Sequence, residues 1–270
     1  MDKDAGDAAN ALAAQHAELA GLLQSLAVGD WDRPTRCPGW SVSDVVLHLA
    51  QTDEMSIASL EGRTAGFIAE RTAGPPGGGS GSVSDGGPGG DQGGTVDDGA
   101  ALMVARERGA PFDQVLSRWR AASGTLDEML EGADPHRRVV WVVGELSIRT
   151  LITTRLAEAW IHGGDIAEAV GAEVKADDRL RHIARLAWRT LPYAFAREGR
   201  ELSGPVAFEL VGPSGEQWRF IPENPPATVV RGEGAELCLV AARRVDPSAT
   251  GLTAEGPDAD AVLSLVRTYA

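Results

Sequence analysis

His48, Glu158 and His162 are the residues whose types and spacing could do chemistry. Two imidazoles and one carboxylate form the ligand set of a catalytic zinc site that keeps one coordination position open. Glu158 and His162 stand at i, i+4, one turn apart on the same face of a helix. His48 belongs to a separate helical segment and would meet the pair from across a bundle core. A metal held this way offers two chemistries. A bound water, its pKa lowered to about 7, becomes a hydrolytic nucleophile. A bound thiol is held instead as thiolate, a nucleophile toward an activated double bond or a leaving group.

Several neighbours could assist. Arg155, one turn before Glu158, could orient that ligand or hold a substrate carboxylate, and its plain role is an intrahelical ion pair. Asp165, one turn after His162, could accept its ring proton or carry a proton. Asp44, one turn before His48, could orient that ring or simply cap the helix. Cys37 precedes a helix N-terminus, where a thiolate is favoured, although a small buried residue is the simpler reading. Trp31 and Trp40 are expected to pack the turn around it. None of His16, His136 and His182 has an obvious spacing for a fourth ligand.

The elements that must position these groups follow from apolar periodicity. A helix runs from about Asp4 to Leu26, and a second opens at Ser41, with Asp44 completing an approximate capping box, and continues to about Glu61. The glycine-rich run between about 72 and 99 has too few apolar side chains to form a core and is expected to be a disordered insertion. Pro111 introduces a helix over Phe112 to Leu130. The helix carrying Glu158 and His162 begins after Ser147 and ends at Gly171 as C-cap. Asp177 and Asp178 open the next, through about Ala196. Beyond it the pattern alternates: PVAFELVGPSGEQWRFI predicts a β-hairpin broken at Pro213-Ser214-Gly215, with a short strand near Val229–Val230 and helices over Ala235–Arg243 and Ala259–Tyr269. The class is α+β overall, a helical bundle over residues 1–172 followed by a small α+β unit over 173–270.

Composition narrows the partners. The 270 residues carry a net charge of -14 and a pI near 4.8, with no basic stripe to neutralise phosphates, so nucleic acid is excluded as a partner. No apolar run approaches the roughly 20 residues needed to span a bilayer. The N-terminal residues lack the basic-then-apolar order of a secretory signal. Cys37 and Cys238 form no CxxC and suggest two free thiols in a reducing cytoplasm. Oligomeric state is not legible. Beside the enzyme stand a non-catalytic, metal-stabilised module binding an apolar ligand through its C-terminal unit, and a metal or ligand sensor.

Two segments carry a family likeness. WDRPTRCPGWSVSDVVLHL, from Trp31 to Leu49, and RLAEAWIHGGDIA, from Arg155 to Ala167, resemble the two metal-binding motifs of the mycothiol-dependent maleylpyruvate isomerase family. The resemblance implies a DinB-like four-helix bundle over most of residues 4–172. It also implies a C-terminal α+β domain similar to sterol-carrier folds. Carried over position by position, it makes His48, Glu158 and His162 the zinc ligands and mycothiol the cosubstrate. It further implies that an arginine of the C-terminal unit, Arg243 or Arg244, helps bind an acidic substrate. The likeness is to an uncharacterised actinobacterial branch rather than to the isomerase itself. The chemistry implied is thiolate addition to a small electrophilic, carboxylate-bearing substrate, ending in isomerisation or S-conjugation.

Overall fold

The computed structural model describes residues 3–72, 96–142 and 144–268. Four long helices build the bundle: α1 (Lys3–Ser25), α2 (Val42–Leu60), α5 (Phe112–Leu130) and α6 (Ile148–Val170). Helix α2 packs on α5 and α6, and α1 packs on α6 and α5, which closes a ring around one interior. The helix ends are set by local chemistry. Ser41 Oγ accepts from Asp44 N at 3.2 Å while Asp44 Oδ2 accepts from Ser41 N at 2.9 Å, a full capping box. Ser147 caps α6 through Thr150 N, and Gly171, at φ 72°, closes it in the left-handed conformation that favours glycine.

Two short helices, α3 (Thr64–Thr72) and α4 (Val96–Glu107), were not legible in the sequence. The expected insertion falls mostly on residues outside those described, but its last residues, Val96–Gly99, belong to α4. A ladder of charges anchors both helices to the bundle: Arg118 reaches Glu54 at 2.6 and 2.8 Å and also pairs with Glu107, and Arg71 reaches Glu54 at 2.9 Å. A hairpin of β1 (Arg138–Trp141) and β2 (Gly144–Ser147) leads into α6. It buries Val139 and Trp141 while Arg138 and Val140 face out, the period of two expected of a half-buried strand.

The remainder is a mixed sheet with helices on it. Strands β3 (Val206–Val211) and β4 (Gln217–Phe220) form the expected antiparallel hairpin. Strand β5 (Thr228–Glu233) then pairs with β3 in parallel, and β6 (Thr253–Glu255) adds an antiparallel edge, giving the order β4-β3-β5-β6. Helices α7 (Leu180–Arg197), α8 (Gly234–Ala241) and α9 (Ala259–Leu265) pack on these strands and on one another, and α7 also contacts α6. The last helix is shorter than its periodicity predicts. Thr268 N pairs with the carbonyl of Ala241 at 3.0 Å, so the chain leaves the helix to cover the end of α8.

Inside the bundle, apolar residues fall into two clusters. One holds Leu12, Met55, Leu126 and Leu156 and continues under α7 into the sheet; the other holds Leu19, Leu49, Trp119 and Ile166. Buried with them on the same helices are polar residues: His16 on α1, His48 and Asp53 on α2, Ser123 on α5, and Arg155, Glu158 and His162 on α6. A polar layer in a bundle core costs desolvation unless its members answer one another or a ligand, so this layer is where function is to be sought.

Candidate metal centre

At the middle of that layer, His48 Nε2 lies 3.2 Å and His162 Nε2 3.6 Å from the same oxygen, Glu158 Oε2. The ligand-capable atoms of these residues all lie within 4.8 Å of one another, and each residue is buried. Donors about 2.0–2.1 Å from a tetrahedral ion stand about 3.3 Å apart, so the spacing fits a shared divalent cation. The donor set fits as well, since two imidazoles and a carboxylate suit a borderline-soft ion. The imidazole rings of His48 and His162 meet edge to face with centroids 5.1 Å apart, which turns both Nε2 atoms toward the carboxylate.

What surrounds the trio sets its protonation. His162 Nδ1 donates to Asp165 Oδ2 at 3.0 Å, which leaves Nε2 as the ring atom that faces Glu158 and would bind a metal once its proton is displaced. Burial opposes charge on His162, but the hydrogen bonds to Asp165 and Cys37 and the charge of Glu158 outweigh it and lift its pKa to about 9. Burial dominates at His48 and, despite Glu158, keeps that ring neutral by lowering its pKa. Glu158 is pushed upward by burial, yet the His48 hydrogen bond and the charges of Arg155 and His162 bring it down to about 2, so it stays ionised. Asp165 is likewise brought to about 2 against its burial by His162 and Arg244.

The loop between α1 and α2 delivers a further donor. Cys37-Pro38-Gly39-Trp40 is a tight turn, with Trp40 N bonded to Cys37 O at 3.0 Å and Gly39 at φ 76°, the signature of a type II turn with proline and glycine at its centre. The turn sets Cys37 Sγ 3.4 Å from Asp165 Oδ2 and 3.8 Å from His162 Nδ1. Cys37, His162 and Asp165 thus form a second group able to hold an ion, sharing His162 with the first. Cys238, by contrast, is fully buried, and burial raises its pKa. Trp40 packs beside His48 with ring centroids 5.1 Å apart, and Trp31 packs on Phe112 at 5.3 Å.

Other expected residues fall in varied places. Asp44 is committed to its capping box and to Arg108 Nε at 3.0 Å, so it caps the helix and does not orient His48. Arg155 is buried three residues before Glu158, with its guanidinium over the Trp141 ring at 5.2 Å. Of the two arginines expected near the site, Arg243 turns away and donates to the Ser264 carbonyl at 2.8 Å. Its neighbour takes the place: Arg244 donates from Nε to Asp165 Oδ1 at 2.7 Å and from Nη2 to Oδ2 at 2.6 Å. The reason is local. Arg243 sits at φ 60°, a left-handed turn just past α8 that reverses the chain and aims successive side chains apart.

Sequence reasoning overlooked Asp53 and Asp127 and gave His16 no role. His16 Nδ1 bonds Asp127 Oδ1 at 3.0 Å, and its Nε2 lies 3.9 Å from Asp53 Oδ2. A polar residue inside each apolar stripe was the available signal: Asp53 lies between Leu49 and Met55, and His16 between Leu12 and Leu19.

A family model described as the mycothiol maleylpyruvate isomerase N-terminal domain matches residues 12–167. An uncharacterized protein of Mycobacterium tuberculosis, found in two strains, is 31% identical over 262 residues, which cover 96% of this chain and 93% of its own length. Crystal structures of the mycothiol-dependent maleylpyruvate isomerase and of a histidine-to-alanine mutant of it align with a TM-score of 0.58 at 17% identity, over 94% of this chain and 95% of theirs. At that identity the likeness is one of fold. Among the described residues, no helix is long and apolar enough to cross a membrane.

Proposed function

This chain belongs to the mycothiol maleylpyruvate isomerase N-terminal domain family, and from that premise we propose that it is a zinc-dependent, thiol-using enzyme. The single observation that carries the reading is the convergence of two Nε2 atoms on Glu158 Oε2, with Asp165 holding the far side of His162. His48, Glu158 and His162 would hold the ion. A divalent cation bound there supplies a Lewis-acidic position that keeps a thiol in its thiolate form near neutral pH.

The protein's own groups do the rest. Glu158 enters ionised and His48 neutral, so two of the donors are already in ligand form. Asp165 keeps the His162 Nδ1 proton in place and is itself clamped by Arg244, which ties the ligand helix to the C-terminal unit. Arg155, buried and charged beside Glu158, receives the carboxylate of the substrate.

The cosubstrate is a low-molecular-weight thiol of the mycothiol kind, and the substrate is a small electrophilic acid. Addition of the thiolate sulfur to an activated double bond, rotation about the resulting single bond and expulsion of the same sulfur give cis–trans isomerisation with no net proton change. Retention of the sulfur, with a proton delivered to carbon, gives an S-conjugate instead. On this reading the protein works in a reducing cytoplasm, and the two unpaired cysteines support that.

The test is metal content by plasma mass spectrometry, wild type beside His48→Ala and His162→Ala. One zinc per chain, lost in both variants, is the expected result. A folded wild type that takes up no metal after incubation with zinc overturns the proposal. In the cobalt-substituted protein, an added thiol is expected to change the visible spectrum, because an enzyme needs an exchangeable position. An unchanged spectrum would point to a closed, structural site.

A further inference from the structure

The polar layer around the metal trio is mostly self-satisfied. His16 is answered by Asp127, His162 by Asp165, and Asp165 by Arg244. Besides His48 Nδ1, which also has no partner, one carboxylate and one guanidinium among the described residues of this layer are not answered. Asp53 is 3% exposed and its Oδ2 has no hydrogen-bond partner; the nearest cation, His16 Nε2, stands at 3.9 Å, beyond hydrogen-bonding distance. Arg155 is 5% exposed, and its Nε and Nη1 have no partner either. These two residues come from facing helices, lie within electrostatic reach of each other, and both reach Glu158. Buried charged groups in native proteins are almost always hydrogen-bonded, and an exception asks for a ligand or a function.

What ligand answers both follows from their chemistry. The free atoms of Arg155 are donors and call for an anion. The free atom of Asp53 is an acceptor, and its charge repels a ligand that brings only carboxylate. A ligand satisfies the pair if it carries a carboxylate for Arg155 and an O–H for Asp53. We propose that Asp53 and Arg155 form the substrate subsite of this centre, and that it selects small acids bearing a hydroxyl or enol near the carboxylate. The inference rests on the metal-enzyme reading and deepens it: Arg155 supplies affinity for the acid, and Asp53 supplies specificity for the hydroxylated one. A site built to bond a substrate hydroxyl rejects the analogue that lacks it, because its buried acceptor is then left unanswered.

Succinate and malate differ by one hydroxyl and serve as probes. Their binding to the zinc-loaded protein is measured by calorimetry, with metal content determined on the same samples. The expected result is a preference for malate of about ten- to a hundredfold, the range of one hydrogen bond to a charged group. Asp53→Leu removes the acceptor and should abolish the preference. Asp53→Asn keeps an acceptor without the charge, so it should bind succinate more tightly than wild type does, and it serves as the test if Asp53→Leu does not fold. Arg155→Gln should weaken both probes by a similar factor. Equal affinity of wild type for the two probes, no detectable binding of either, or an undiminished preference in a folded Asp53→Leu overturns the inference. Those failures in a protein that retains its zinc leave the metal reading standing, whereas loss of the metal reading shows directly in the metal content.

Discussion

Arg244 and Asp165, separated by 79 residues in the chain, form a bidentate pair at 2.7 and 2.6 Å directly behind His162. Paired N–H donors on one carboxylate are the strong form of this interaction. The pair fixes the carboxylate that in turn fixes the imidazole.

Removing a carboxylate that orients a ligating histidine typically costs 10–100-fold in metal affinity. Asp165→Ala should therefore weaken zinc by about that factor in competition with a chromophoric chelator. Arg244→Met, one contact further out, should lose less in the same direction. Arg243→Met should leave zinc affinity unchanged, because its side chain is bonded to the Ser264 carbonyl. An equal loss from both arginines would show a general effect of the C-terminal unit rather than the clamp.

In the metal-free protein the stabilising contributions of Glu158, Asp165 and His162 are all present together between about pH 5 and 6.5. Glu158 and Asp165 are both depressed to about 2, so their contribution is present above their unfolded values near 4.5 and 3.8 and is lost as pH falls toward 2. His162 is raised from 6.5 to about 9, so its contribution is complete below 6.5 and is lost as pH rises through 9. Thermal melts of chelator-treated protein across this range check the shape. Zinc must displace the His162 Nε2 proton, so proton release should accompany binding below pH 9, measured as buffer-dependent heat.

Asp53 works in the opposite sense. Burial raises its pKa from 3.8 to about 6 against the pull of His16 and Arg155, so the folded state holds that proton more tightly than the unfolded chain does. The associated stability is present below 3.8 and lost as pH rises through 6. Metal-free Asp53→Asn should thus exceed wild type in stability at pH 8 by on the order of 2–4 kcal/mol, and the gain should vanish by pH 4. A pH-independent difference would mean that Asp53 does not titrate in this window. A more stable variant with poorer selectivity is the expected trade at a functional position.

Trp218 makes the sheet intolerant of added methyl groups. It is fully buried between two glycines, and a Cβ at Gly212 would lie 2.6 Å from its Cζ2, one at Gly234 2.6 Å from its Cε3. Gly212→Ala and Gly234→Ala should each destabilise the protein by about 1–3 kcal/mol through overpacking, read from urea unfolding. Gly164→Ala, on α6 with open space around it, is the control and should be neutral or slightly stabilising. Equal losses at all three positions would count against the packing argument.

Much of this architecture is written locally in the chain. Spacing on one helix brings Glu158 and His162 to one face whatever packs against it. Ser41 with Asp44, Ser147 and Gly171 mark helix ends, because capping bonds close within three or four residues. The β3–β4 hairpin is equally local. The short helices α3 and α4 were not legible, since they are held by charges on other helices, Glu54 for α3 and Arg118 for α4, rather than by strong apolar periodicity. Strand β6 has three residues and pairs with an edge that exists only once the sheet has formed.

The motifs alone single out three ligand types, and spacing places two of them. Everything that gives those ligands their chemistry depends on tertiary packing. Helix α2 must cross α6 for His48 Nε2 to meet Glu158, and the proline–glycine turn must fold back for Cys37 to reach Asp165. Sequence can name Arg243 and Arg244 as a pair, but it cannot choose between them, because adjacent residues share every long-range pattern. The choice falls to one left-handed residue at the end of α8 and to the docking of that helix behind α6. The unanswered atoms of Asp53 and Arg155 are likewise invisible in the chain. Whether a buried polar atom finds a partner is decided only when every neighbouring element is in place.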